Sequence, residues 1–133
     1  RDLPQPRQAN VMKRGQYDQP GEAVEPDVPA VFAKLSKPEN KPRADRLDLA
    51  KWLTDDANPI VPRVTVNRFS QQVFGTGIVK SSDDFGSQGT PPTHPELLDR
   101  LAWWFQKNQG DVKSLMKAMV MTEAFQRDAR FLP

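Results

Sequence analysis

His94, the acid pairs Asp55-Asp56 and Asp83-Asp84, the pair Asn67-Arg68 and the doublet Trp103-Trp104 are the residues whose types and spacing could do chemistry. A single histidine can act as a general base or bind a metal. His94 has no second histidine and no cysteine to work with, and it stands beside a helix-start signal, so local hydrogen bonding is the simpler reading. Paired carboxylates can divide acid and base roles or hold calcium. Neither acid pair has the alternating spacing of a calcium loop, and loop acids commonly close turns. Asp84-Phe85-Gly86 spells the metal-binding triplet of protein kinases, but no glycine-rich loop or catalytic-loop motif accompanies it. Gly75-Thr76-Gly77 is too short for a phosphate loop and no helix begins just after it.

Asn67-Arg68 falls mid-helix, where asparagine needs a partner for its amide. One reading aims both side chains at a ligand. The other is a polar clamp, with Arg68 bonding loop carbonyls or Asp84. In the doublet, Trp104 shares a helical face with Leu97, Leu101 and Phe105, whereas Trp103 falls with Glu96, Arg100 and Lys107. Trp103 is therefore expected on a polar face, where a tryptophan can stack on a sugar or anchor a partner. The candidate binding set is Trp103, Arg68, Asn67, Asp84 and His94. No catalytic residue, metal ligand or cofactor is assigned.

The elements that position these residues follow from composition and pattern. The sequence has 133 residues, 37% hydrophobic and 27% charged, which suits one ordinary domain. Net charge is +2; residues 1–44 carry that excess, and residues 45–133 hold eleven basic and eleven acidic residues. Without a basic stripe, nucleic acid is not expected as a partner. The absence of cysteine removes disulfides, thiolate metal sites, a cysteine nucleophile and the haem attachment motif. No apolar run approaches the roughly 20 residues of a membrane span. The chain starts at Arg1 rather than Met and is expected to be an internal piece of a longer protein.

Seven of the thirteen prolines lie in residues 1–44. Proline removes a backbone donor and disfavours helix before it. The segment is expected to be extended, with at most one short strand near Asn10–Lys13, a turn at Pro20-Gly21, and Val24, Val28, Val31 and Phe32 pinning it to a helical body. From Asp45 a capped helix carries Leu47, Leu49, Ala50, Trp52 and Leu53. A second starts near Pro62, carries Val66, Phe69, Val73 and Phe74, and ends at Gly75. Residues 76–92 form a loop with an apolar hook, Ile78-Val79. Thr93 and Glu96 spell a capping box for a third helix, whose apolar face is Leu97, Leu98, Leu101, Trp104 and Phe105. Asp111 caps a fourth, bearing Leu115, Met116, Met119 and Val120, and Phe125 sits in a last turn. The expected fold is all-α: about four helices, an extended proline-rich strap over residues 1–44, and a helical domain over residues 45–133.

Five ordered strings carry a resemblance. They are Arg46-Leu47-Asp48-Leu49-Ala50-Lys51-Trp52-Leu53, Arg63-Val64-Thr65-Val66-Asn67-Arg68, Phe74-Gly75-Thr76-Gly77-Ile78-Val79, Asp84-Phe85-Gly86-Ser87-Gln88-Gly89 and His94-Pro95-Glu96-Leu97-Leu98-Asp99. Together they resemble domain of unknown function 1553, a planctomycete-associated domain. Arg14-Gly15-Gln16-Tyr17 and the residues after it resemble the segment leading into that domain. The sequence departs from the family at Met12-Lys13 and at Ser70, and it looks like the first part of the domain.

The resemblance implies a periplasmic or otherwise exported bacterial setting inside a multidomain protein. Other domains of that protein, cytochrome-c-like ones among them, are the implied partners, with carbohydrate as a further implied ligand. It brings no established catalytic residues. The function expected is a non-catalytic interaction or scaffolding module, with part of a polysaccharide-processing or sugar-binding site as the alternative.

Overall fold

The structure is a computed structural model and describes residues 7–32 and 34–127. Its chain divides into two compact units, the first ending at Thr54 and the second beginning at Asp55.

In the first unit, β1 (Ala9–Met12) and β2 (Pro20–Val24) pair antiparallel, with Ala9 opposite Val24 and Met12 opposite Pro20. The all-α expectation is therefore corrected: five α-helices accompany a two-stranded sheet among the described residues, and the chain is a mixed α and β protein. The reason is local. A 3-10 turn over Lys13–Gly15 reverses the chain, and the Lys13 amide donates to the Gln19 carbonyl at 3.0 Å. Asn10 donates its side-chain amide to the Gly21 carbonyl at 3.0 Å, bracing the pair from one side. Pro20, which spells a turn in sequence, opens the second strand, a place where its missing N–H is tolerated.

Helix α1 (Arg46–Leu53) closes this unit. The Asp45 carboxylate accepts from the amides of Leu47 at 2.9 Å and Asp48 at 3.2 Å, while Asp48 accepts from the Asp45 amide at 2.9 Å. This reciprocal box satisfies donors that a helix start leaves orphaned. Asp48 is only 2% exposed, and the Lys41 ammonium meets it at 2.5 Å and Asp45 at 2.6 Å. Bonding to Lys41 holds both carboxyls below the ordinary carboxylate range and raises Lys41 above the ordinary lysine value. Leu47, Leu49 and Leu53, expected on a core face, are exposed. The helix instead buries a carboxylate, and Trp52 takes the edge of Phe32 at a centroid distance of 5.8 Å. Val31, expected to pin the strap, is exposed.

The second unit holds α2 (Ile60–Phe74), α3 (Pro95–Lys107), α4 (Val112–Val120) and α5 (Glu123–Gln126). Helix α2 begins two residues before Pro62, because the Asn58 side chain accepts from the amides of Ile60 and Val61 at 3.1 and 3.3 Å. It ends at Gly75, whose φ of 81° is the left-handed turn that lets its amide reach the Gln71 carbonyl at 2.8 Å. Asp111 caps α4 through the Ser114 amide and hydroxyl. The Ser114 hydroxyl also lowers the Asp111 carboxyl below its ordinary value.

Val66, Val79, Leu98, Leu115 and Met119 form the core, with Phe69, Leu101, Trp104 and Phe105 packed around it. Helices α3 and α4 both lie against α2. Of the two leucines read onto the α3 apolar face, Leu98 is buried and Leu97 is exposed. No helix among the described residues is long and apolar enough to cross a membrane.

Candidate functional site

The loop between α2 and α3 is anchored residue by residue, and that anchoring builds a groove. Asn67 is fully buried on α2. Its Oδ1 accepts from the Val79 amide at 2.7 Å, and its Nδ2 donates to the Val79 carbonyl at 3.0 Å. One side chain thus serves both main-chain polar groups of a buried residue, which would otherwise go unpaired. Nδ2 also reaches Ser82 Oγ at 3.3 Å, and that hydroxyl donates to Gln71 Oε1 at 2.7 Å. Gly77 makes room for the clamp, since a Cβ there would meet the Asn67 amide.

Farther along, Asp84 Oδ1 accepts from the Gly86 amide at 2.8 Å, closing a tight turn. The Ser81 hydroxyl donates to the Asp84 carbonyl at 2.8 Å and accepts from the Thr90 amide at 2.8 Å. Thr93 then doubles back on the hook: its amide and hydroxyl both donate to the Ile78 carbonyl, at 2.9 and 3.1 Å. Val79 is thereby held under the loop as a floor.

Over that floor lies a groove of about 450 Å³. Buried Val79 and Leu98 line it together with Phe85, Pro91, Pro92 and Pro95, the loop residues Gly86, Ser87, Gly89 and Thr90 add polar lining, and Arg63 and Asp99 supply its charges. Arg63 Nε donates to Asp99 Oδ1 at 2.7 Å, and its Nη1 donates to the Pro59 carbonyl at 2.7 Å. Both side chains are partly open to solvent, at 36% and 58%. Arg63 Nη2 and Asp99 Oδ2 have no protein partner among the described residues.

The structure distributes the five residues singled out from sequence. Asn67 lies under the groove as the clamp. Asp84 shapes the turn beside Phe85 and Gly86, which line it. His94 takes the N-cap position of α3 with no side-chain bond to the helix, and its Nδ1 lies 3.1 Å from Thr93 Oγ1. Arg68 is exposed and makes no hydrogen bond or ion pair with the described residues. Trp103 is 59% exposed, one turn beyond Asp99 on α3. None of Asp84, His94, Arg68 and Trp103 lines the groove.

The Thr93–Glu96 capping box is not formed, because the Thr93 hydroxyl is spent on Ile78. Of the other acids, Asp55 closes a turn onto the Ala57 amide at 2.7 Å, and Asp56 pairs loosely with Lys107 at 3.5 Å. No cluster of three or more potential metal ligands occurs among the described residues.

The two charges in the groove, Arg63 and Asp99, were not singled out from sequence. Both lie within the strings of the family resemblance, at positions 36 apart, so no local spacing pairs them. The family model described as PSD1, protein of unknown function (DUF1553), matches residues 45–133. No curated protein and no solved structure matches the chain.

Proposed function

The chain belongs to the PSD1 family of proteins of unknown function, and from that premise we propose that it is a non-catalytic interaction module of a larger exported bacterial protein. The observation that carries this reading is the composition of the groove. Proline, phenylalanine and aliphatic side chains make up half of its lining, Ser87, Thr90 and two glycines add uncharged polar edge, and its only charged pair is already joined. Catalysis by acid and base needs groups that converge within hydrogen-bond reach of one reacting atom. Asp84, His94 and Arg68 stand apart from the groove, and Asp84 is occupied in its own turn. An apolar surface with a few polar fixing points is the ordinary make-up of a binding site. The exported setting and the partner domains, cytochrome-c-like ones included, are carried over from the family resemblance.

Cross-linking mass spectrometry on the parent protein tests this. Exposed Lys80, Lys113 and Lys117 should give links into residues outside this chain. Links confined to this chain, together with polysaccharide turnover that Asp84→Ala or His94→Ala abolishes, would sink the reading.

A second reading, carbohydrate binding, rests on the exposure of Trp103, whose face is free to stack on a sugar ring. Quenching or a blue shift of its fluorescence on titration with oligosaccharides, lost in Trp103→Ala, would favour it.

A further inference from the structure

We infer that the outer edge of β1 takes an added strand: an extended polypeptide segment from outside this chain, with acidic residues at both ends of an apolar stretch. The inference concerns the first unit and is independent of the groove, which belongs to the second. Strand number comes first. A two-stranded sheet is marginal in water, and a third strand or a covering helix is the usual remedy. Among the described residues β1 and β2 form the whole sheet, and α1, in the same unit, makes little contact with it. Val11, Met12 and Val24 are exposed. The edge of such a sheet presents N–H and C=O groups in a row, and that row is the template an added strand uses.

The two edges are not equivalent. Pro20 opens β2 and Pro26 follows shortly after it, and proline offers no ladder donor. No proline occurs from Arg7 to Gln19. Charge separates the edges as well. Residues 20–25 hold Glu22 and Glu25 and no cation, whereas residues 7–14 hold Arg7, Lys13 and Arg14 and no acid. Those three cations make no ion pair with the described residues. Arg7 and Lys13 flank β1 on either side, so a second β1 is repelled and a segment with acidic ends is drawn in. The irregular step between Asn10 and Met12 keeps the regular edge short, so charge must add to the main-chain bonds. The edge is also preformed. Arg43 ties the open end of the hairpin, donating to the Arg7 carbonyl at 2.7 Å and meeting Glu25 at 3.5 Å. The Lys13–Gln19 bond closes the other end, so little order remains to be imposed on binding.

The test uses the full chain labelled with ¹⁵N and capped hexapeptides in which alternating valine and threonine stand between two terminal glutamates. The peptide should move the Ala9, Asn10, Val11 and Met12 amides more than those of Glu22 and Val24. The same peptide ending in lysines should bind about tenfold more weakly, and raised salt should narrow that gap. N-methylation of the alternate amides that face the edge should abolish binding, because the ladder donors are gone. Arg7→Glu combined with Lys13→Glu reverses the charge on both sides of β1 and should invert the preference between the two peptides. The comparison of peptides on the unaltered chain needs no variant, so it decides the matter even where the double substitution loosens the hairpin.

The inference is overturned if no peptide moves the β1 amides at millimolar concentration, or if glutamate-ended and lysine-ended peptides bind alike. Shifts confined to β2 overturn it too. So do β1 shifts that grow with protein concentration in the absence of peptide, which would mean pairing between copies of this chain. A silent β1 beside cross-links to other domains would remove this edge and leave the module reading standing.

Discussion

Asn67 and Gly77 hold each other in place: the Cβ that Gly77 lacks would lie 2.7 Å from both Oδ1 and Nδ2 of Asn67. The amide cannot swing away, because both of its ends are bonded to Val79. Asn67→Ala strands a buried donor and acceptor and should cost about 2–4 kcal/mol. Gly77→Ala should cost about 1–3 kcal/mol by overpacking. In the Asn67→Ala background the added methyl meets open space, so the two losses should fall short of their sum by about 1 kcal/mol or more. Urea denaturation of the four variants measures this, and strict additivity would refute the coupling.

Acid should loosen the first unit before the second. Asp48 and Asp45 titrate below the ordinary carboxylate range, chiefly because Lys41 bonds to each. A carboxyl with a lowered folded pKa stabilises above its unfolded value, about 4, and that contribution is lost as pH falls through the folded value. Lys41 is raised, so its share is present below about 10.4 and is lost as pH climbs through the higher folded value. Fluorescence of Trp52, in the same unit, should show a midpoint nearly level from about pH 5 to about pH 10 and falling outside that window. Asp48→Asn should lower the plateau and flatten the acid limb. An unchanged acid limb would show that Asp48 is not its source.

The adjacent tryptophans of α3 should part company. Trp103 is largely exposed, whereas Trp104 packs on the core beside Phe105. Trp103→Ala should change stability by no more than about 0.5 kcal/mol, and Trp104→Ala should cost about 3 kcal/mol. Equal losses in thermal unfolding would contradict this division of the pair.

Thr93 and Glu96 provide a fourth comparison. Thr93→Ala removes a hydroxyl from the Ile78 carbonyl and should cost about 1 kcal/mol. Glu96 is exposed, and no capping box forms at the start of α3, so Glu96→Ala should stay within about 0.5 kcal/mol. Comparable losses from both would restore the capping box that the sequence spells.

These cases mark where sequence was legible. Helix positions were readable because periodicity and caps are local: Asp45, Gly75 and Asp111 act where their residue types say they should. The error at Thr93 arose because a carbonyl 15 residues earlier outcompeted the helix for its hydroxyl. The all-α expectation failed at Pro20-Gly21, where a turn signal in sequence is the start of a strand and the real reversal lies at Lys13–Gly15. In α1 the apolar spacing pointed leucines inward, but Asp48, bonded to a half-buried Lys41, took the interior. The groove was out of reach because Arg63 and Asp99 meet only through tertiary packing. Asn67 was readable as a polar clamp, since a mid-helix asparagine needs a partner, but Val79 as that partner was not.

The Asn67–Val79 clamp also has a kinetic consequence. It joins residues 12 apart, the Thr93–Ile78 bonds join residues 15 apart, and the Arg63–Asp99 bridge spans 36. Closing short loops costs the least chain entropy, so these contacts can form in nested order, each shortening the search for the next. Helix α2 with its hook is then the natural nucleus. Substitutions at Asn67 should slow refolding, whereas those at the Arg63–Asp99 bridge should chiefly hasten unfolding. On this order, the groove is the last part of the second unit to be completed and the first to open.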